Sequence, residues 1–402
     1  MMRLIERIVD ECPRRVATSD SERHAQKILE TTLQEHGLET SWESFQFNES
    51  LYANIALHFG LATLGNIVGQ VRPGIGSLVS ALTAGSYWSD STRRGYVLRR
   101  LLPWKECQNL LGVSPARTEK PRLRVVLVAH ADAAFTGMIF DPAFMKRALN
   151  SPLPDNLRFL DRIMEVATVA QVALAGVDAI RAIGKRGGTQ DIVLRTLLAT
   201  PALLVALANL QIVLRNEVVP GANDNLTGCA ALPILAARLL KDQPEDVEYV
   251  FAVAGAEETS LGGSDAMALA HLNDWDPQNT VILAIDTLSG GDIRFVEREG
   301  ELEPKRIASR LRHCLQRAAA SDPRFRGVRG FDMPIGGTDA LPFSRRGYHA
   351  VAISCVDPEL GAPRNYHHPS DTPENIDQAR LLESVDFIEA AVREITQEYT
   401  KA

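Results

Sequence analysis

Seven acidic and histidine side chains stand where apolar runs of the sequence break off: His130, Asp132, Asp224, Glu257, Glu258, Asp286 and His367. His130 and Asp132 close LRVVLVAHAD, Glu257 and Glu258 follow VEYVFAVAGA, and Asp286 ends VILAID. His367 lies in the loop YHHPSDTPENI. Asp224 sits in PGANDNLTGCAA, where Gly, Asn and Asp crowd one tight turn ahead of a helical pattern, LPILAARLL. Such a turn favours unusual backbone dihedrals and would hold the carboxylate rigidly. Nitrogen and carboxylate donors without thiolate suit zinc, or another first-row ion such as cobalt or manganese. Five donors that include one shared carboxylate suit two ions about 4 Å apart, as in two-metal hydrolases. Such a pair polarises a carbonyl and acidifies water, and an unligated carboxylate nearby can carry the proton to a leaving amine. Adjacent Glu257 and Glu258 could split those duties, one binding metal and one moving protons.

The elements that must position these groups alternate between strand and helix. Residues 40–47, 109–113, 123–129, 247–254, 281–286 and 349–354 read as strands. The run at 123–129 is almost unbroken in its apolarity, as in a strand buried on both faces. Residues 3–11, a stretch from Ser19 to Gly37, residues 304–320 and residues 378–397 read as helices. Ser19 and Glu22 fit a capping box. This pattern predicts an α/β protein with a mixed, mostly parallel sheet sandwiched by helices. In such sheets, sites lie beyond the carboxyl ends of the strands, where the seven side chains fall.

The chain has 402 residues, 45% of them hydrophobic, and a formal net charge of -7. A sizeable core is available, and the negative charge argues against nucleic acid as a partner. The five cysteines, at 12, 107, 229, 314 and 355, are scattered and form no CxxC pair. Neither a disulfide framework nor a thiolate zinc site is indicated. The opening MMRLIERIVDECPRR has no apolar leader segment, so a cytoplasmic location is expected.

Six stretches in order, HAD, GANDNLTG, AEETSLGGSDA, AID, GTDALPF and YHHPSDT, give the chain a family likeness. It resembles the co-catalytic dinuclear zinc exopeptidases, which include aminopeptidase Y, glutamate carboxypeptidase II and the glutaminyl cyclases. The resemblance also takes in the N-terminal helix and TSWESFQF. It implies a zinc-exopeptidase, phosphorylase/hydrolase-like fold and a metallopeptidase holding two zinc ions. By the same resemblance, Asp224 is the bridging carboxylate, Asp286 shares one ion with His130, and His367 shares the other with Glu258. The family's metal histidine stands four residues before the Asp of the SDT turn, here Asp371, which selects His367 over His368. Glu257 resembles the general base, and Asp132 the carboxylate that supports a metal histidine. These two are the expected catalytic positions that hold no metal. A cis peptide after Asp224 is implied as well. Asp339, in GTDALPF, resembles a residue of a loop bordering the substrate cleft, with a helix cap as the alternative. The Glu257–Glu258 pair looks more like a hydrolase than a cyclase. The expected activity is that of an aminopeptidase on short peptides. The alternatives are a carboxypeptidase or N-acyl amino acid hydrolase, or a non-catalytic membrane or assembly protein.

Two apolar blocks fall outside the resemblance. The expected organisation is a catalytic domain in three parts, 1–50, 104–140 and 216–402, interrupted by helical insertions at 51–103 and 141–215. From Ser50 to Val71 no residue is charged, and a second uncharged run follows the Pro73-Gly74 turn. In the second block, residues 157–184 and 192–214 look helical around a Gly187-Gly188 turn, with Pro201 interrupting the later one. The two hairpins are expected to pack on each other as one all-α module. Self-association through it is preferred to membrane association, because Glu165, Asp178 and Arg195 interrupt the apolar helices.

Overall fold

The structure is a computed structural model that describes residues 1–150, 162–184, 189–333 and 336–401. Four strands form the parallel centre of its sheet: β3 (Leu123–His130), β4 (Val247–Ala254), β5 (Thr280–Ile285) and β9 (His349–Val356). Their Val, Leu, Ile and Ala side chains alternate between two cores. On β3, Val125, Leu127 and Ala129 join one core, while Val126 and Val128 join the other. Burial on both faces is why these strands read as continuous apolar runs. Outside them, β1 (Glu39–Phe47) pairs antiparallel with β2 (Lys105–Ser114), which pairs with β4. On the far side β6 (Asp292–Glu299) runs antiparallel to β9, and two short strands, β7 (Lys305–Arg306) and β8 (Arg329–Asp332), pair with it. The strand order is β1-β2-β4-β3-β5-β9-β6-β7.

Helices α1 (Met2–Glu11), α2 (Asp20–Glu35), α8 (Thr227–Leu239), α10 (Ser309–Ser321) and α12 (Gln378–Tyr399) cover one sheet face. The shorter α9 (Gly262–Ala270) and α11 (Leu341–Arg345) lie on the other. The Ser19 hydroxyl accepts the Glu22 amide, as the capping box requires. Glu22 does not complete that box. Its carboxylate takes the amide of Thr18 and reaches across to Ala256 instead.

One predicted element differs, and one of the longer strands has no counterpart in the expectation. The helix expected over 304–320 begins at Ser309, because Lys305 and Arg306 pair with Glu299 and Arg298 as a strand. Strand β6 itself is missing from the expectation. Its apolar Ile293, Phe295 and Val296 are interrupted by Arg294 and Glu297, although Arg294 is itself buried and bonds the Gly327 carbonyl and Asp292.

The apolar blocks form α3 (Leu51–Val71), α4 (Pro73–Ser91), the short α5 (Pro142–Asn150), α6 (Ile163–Ile183) and α7 (Thr189–Arg215). Pro73 stands in the first turn of α4, where its missing N–H costs no hydrogen bond. Pro201 lies inside α7, and the helix runs through it rather than stopping. Residues 157–161 and the Gly187-Gly188 turn lie outside the described residues. Helices α3, α4, α6 and α7 pack as a bundle around Ile55, Phe59, Tyr87, Met164, Ala202 and Val205.

Candidate metal centre

Strand register brings the donors level. His130 is opposite Ala254, so His130 and the Glu257 loop leave the sheet at the same edge. Val128 is opposite Ala284, which sets Asp286 level with His130 on the next strand. Asp224 arrives from the turn before α8, and His367 from the loop after β9.

The two oxygens of the Asp224 carboxylate face different histidines. Its Oδ1 lies 3.3 Å from His130 Nε2, and its Oδ2 lies 3.3 Å from His367 Nε2. On the first side, Asp286 Oδ1 is 3.9 Å from His130 Nε2. On the second, Glu258 Oε2 is 3.2 Å from His367 Nε2. Glu257 stands beside this row, its Oε2 3.8 Å from His130 Nε2. His368 turns away to Ser370. The structure therefore gathers His130, Asp224, Glu257, Glu258, Asp286 and His367 at one point, and sets Asp132 directly behind His130.

This cluster fits a divalent cation. His130, Asp224 and Glu258 each offer a donor atom, all within 4.8 Å of one another. Four buried atoms, His130 Nε2, Asp224 Oδ2, Glu258 Oε1 and Asp286 Oδ1, find no hydrogen-bond partner among the described residues. Buried polar atoms are otherwise almost always paired, so four orphans converging on one space call for a positive ligand. The electrostatics agree. Burial, and then the Asp224 charge, push the Asp286 carboxyl up to about 8. Burial also pushes Glu257 well above the usual carboxylate range, with Asp339 and Glu258 adding to it. Burial opposes the charged form of His367, but Glu258 and Asp224 outweigh it and lift the imidazole to about 10. Crowded carboxylates raise one another's affinity for a positive partner, whether proton or metal.

A frame of buried hydrogen bonds fixes the donors. The Asp132 carboxylate accepts the amides of Glu257, at 3.1 Å, and Glu258, at 3.0 Å. One side chain thus supports His130 and clamps the glutamate pair. Asn225 donates to the Ile285 carbonyl and accepts from the Gly228 and Thr287 amides, binding the Asp224 turn to the end of β5. The Asp224–Asn225 peptide is cis. Gly221, at φ 62°, opens this turn, and a Cβ there would sit 2.7 Å from the Asp224 carbonyl oxygen. No other residue fits. Asp339 is buried, accepts from Ser264, and is pushed by burial up to about 6.

Four supporting residues were not legible as such. Buried Arg15 donates to the carbonyls of Ala131, Pro220 and Gly221, tying the His130 strand end to the Asp224 turn. Glu22 holds the Ala256 amide just ahead of Glu257. Tyr52, from the first apolar block, places its hydroxyl 3.0 Å from His367 Nδ1. Asp371 of the SDT turn accepts the amides of Asn223 and Asp224 at 2.7 and 3.0 Å. Asp371→Asn would turn an NH2 toward one of those two amides. Zinc affinity is expected to fall about 10–100-fold, the usual effect of disturbing a ligand's support. Competition with a chromogenic chelator measures it, and unchanged affinity would mean that the turn holds its shape alone.

The fold and the donor set together define an α/β sheet with a cluster fit for divalent cations at the carboxyl ends of its strands. Residues 210–392 match the family model described as Peptidase family M28. Aminopeptidase YwaD of Bacillus subtilis (strain 168) is 29% identical over 185 residues, which are 45% of this chain and 39% of that protein. The match therefore spans well under half of the curated relative's length. Among solved structures, BSAP, a zinc aminopeptidase from Bacillus subtilis, superposes with a TM-score of 0.58 at 14% identity, covering 98% of this chain and 94% of that one. A glutaminyl cyclase from Bacteroides thetaiotaomicron gives 0.55 at 14% identity, covering 100% and 97%. A Zn-dependent exopeptidase from Parabacteroides distasonis gives 0.54 at 14% identity, covering 100% and 97%. These likenesses show the fold, and the family match agrees with the resemblance read from the six motifs.

Proposed function

We propose that the chain is a zinc-dependent exopeptidase, an aminopeptidase acting on short peptides, with two metal positions that share Asp224. The observation that carries this reading is the division of the Asp224 oxygens between two histidines, each with its own second carboxylate. His130 and Asp286 would hold one ion, His367 and Glu258 the other. Zinc bound there would polarise the scissile carbonyl and make water acidic enough to react near neutral pH. Glu257 takes the proton from the attacking water and delivers it to the leaving amine nitrogen. Asp132 keeps Glu257 and Glu258 on their separate duties by fixing both backbone amides. A cavity of about 130 Å³ adjoins the cluster, lined by Glu257, Glu258 and His367 together with Leu51, Tyr87 and Arg93 of the first insertion. That volume and that roof favour short substrates.

Elemental analysis of protein purified without chelator is expected to give about two zinc ions per chain. Glu258→Gln is expected to lower that count, since it removes a donor. A panel of free and N-acetylated dipeptides tests the terminus: cleavage of the free set supports an aminopeptidase, and preference for the acetylated set would make it an N-acyl amino acid hydrolase.

A further inference from the structure

The bundle of α3, α4, α6 and α7 carries its polar groups inside and its apolar groups outside. Asp178 is completely buried and meets Arg195, itself 1% exposed, through two hydrogen bonds of 2.8 and 2.9 Å. Arg181 adds a third bond to Asp178 and pairs with Asp191. Nearer the sheet, buried Asp90 receives both Arg99 and Asn54, and buried His58 meets Ser86. Facing outward are Ile67, Leu78, Val172, Ile180, Leu197 and Leu207, with Leu78 at 72% exposure and Ile180 at 73%. Among the described residues of the four helices, no exposed position carries a charge before Arg215, the last residue of α7. A bundle stable in water shows the reverse arrangement.

We propose that this bundle is embedded in a phospholipid bilayer. Three of its helices are long and apolar enough to cross one. Twenty-one residues of α3 or α6 span about 31 Å, against a hydrocarbon thickness of about 30 Å. Lipid is the occupant because the apolar surface lies on all four helices. A two-fold partner would cover one side only. Two of the three charges that favoured self-association in the sequence do not meet the surroundings: Asp178 and Arg195 neutralise each other inside, as ionisable groups in membrane helices do. The third, half-buried Glu165, stands in the first turn of α6 and pairs with Arg162. Gly69 lets the helices close around that pair, since a Cβ there would sit 2.5 Å from Asp178 Oδ2. Exposed Thr196 and Thr200 return their hydroxyls to carbonyls one turn back, so neither presents a free donor to its surroundings. Half-exposed Trp88 stands at the base of α4 beside Arg94, where an interfacial tryptophan belongs. The proposal places the metal centre at the membrane surface, because Tyr52 of α3 reaches His367.

Flotation of the full chain with phosphatidylcholine vesicles tests it, together with a fluorophore placed at Leu207→Cys and, as a control on the α/β part, at Lys241→Cys. The chain is expected to require detergent for extraction and to float with vesicles at high salt. The label at 207 is expected to be quenched by bromine on the lipid chains, and the label at 241 to be unaffected. A detergent-free oligomer that shields position 207 without floating would overturn the proposal in favour of packing between copies. A detergent-free monomer that ignores vesicles would overturn both. No arm depends on peptidase activity, so a failed activity assay leaves the result readable.

Discussion

Glu257→Gln is expected to lower kcat by about 10²–10⁴, the usual contribution of a positioned acid–base group. Zinc content and fold should stay as they are. The separation follows from geometry. Glu258 meets His367 at 3.2 Å within the donor row, while Glu257 stands at its edge, 3.8 Å from His130. Glutamine keeps the shape and the backbone amide that Asp132 accepts, and removes only the capacity to take a proton. The two readouts, turnover and metal content, part company in this variant and move together in Glu258→Gln. Turnover close to wild type would assign the proton transfer to another group. A loss of zinc equal to that in Glu258→Gln would make Glu257 a ligand.

What the sequence disclosed was chemistry tied to strand ends. Buried parallel strands leave unbroken apolar runs, and each run stops where its strand leaves the sheet, so His130, Glu257 and Asp286 were marked by the edge of a pattern. The Asp224 turn announced itself through Gly, Asn and Asp. The supporting frame had no such mark. Arg15 acts through carbonyls far along the chain, at Ala131, Pro220 and Gly221, and nothing in CPRR distinguishes it from a surface arginine. Glu22 looked like a local cap because a capping box and a buried carboxylate use the same residue type at the same place. Strand β6 had no such mark either, because buried Arg294 breaks its apolar run and finds its carbonyl partner at Gly327, far along the chain.

The apolar blocks show the same limit more sharply. Charge at 178 and 195 reads as interruption when only the sequence is in view, because the residues are on different helices and their partnership depends on how those helices meet. Once α6 and α7 pack, the two become one neutral unit, and the remaining outward surface is almost wholly apolar. Tyr52 belongs to this class too. Its contact with His367 joins an insertion to the metal centre, although the family likeness leaves the insertion out.

Removing one member of that unit is expected to have the largest effect on stability. Asp178→Leu leaves Arg195 buried at 1% exposure with its carboxylate partner gone, and also takes the 2.9 Å bond from Arg181. Stranding a buried charge costs about 3–5 kcal/mol, well above the value of a typical surface pair. Arg181 retains Asp191 and softens the loss on its own side. Arg195→Met alone should cost less, because Asp178 keeps Arg181. The double variant, Asp178→Leu with Arg195→Met, should recover most of the loss, since apolar residues of similar volume often replace a buried pair at little cost. Thermal unfolding of the purified full chain in one detergent, measured for the wild type, both single variants and the double, gives the coupling directly. A double variant as unstable as the sum of its singles would show that the pair acts through separate contacts, such as the Arg195 bond to the Asn66 carbonyl, rather than through mutual neutralisation.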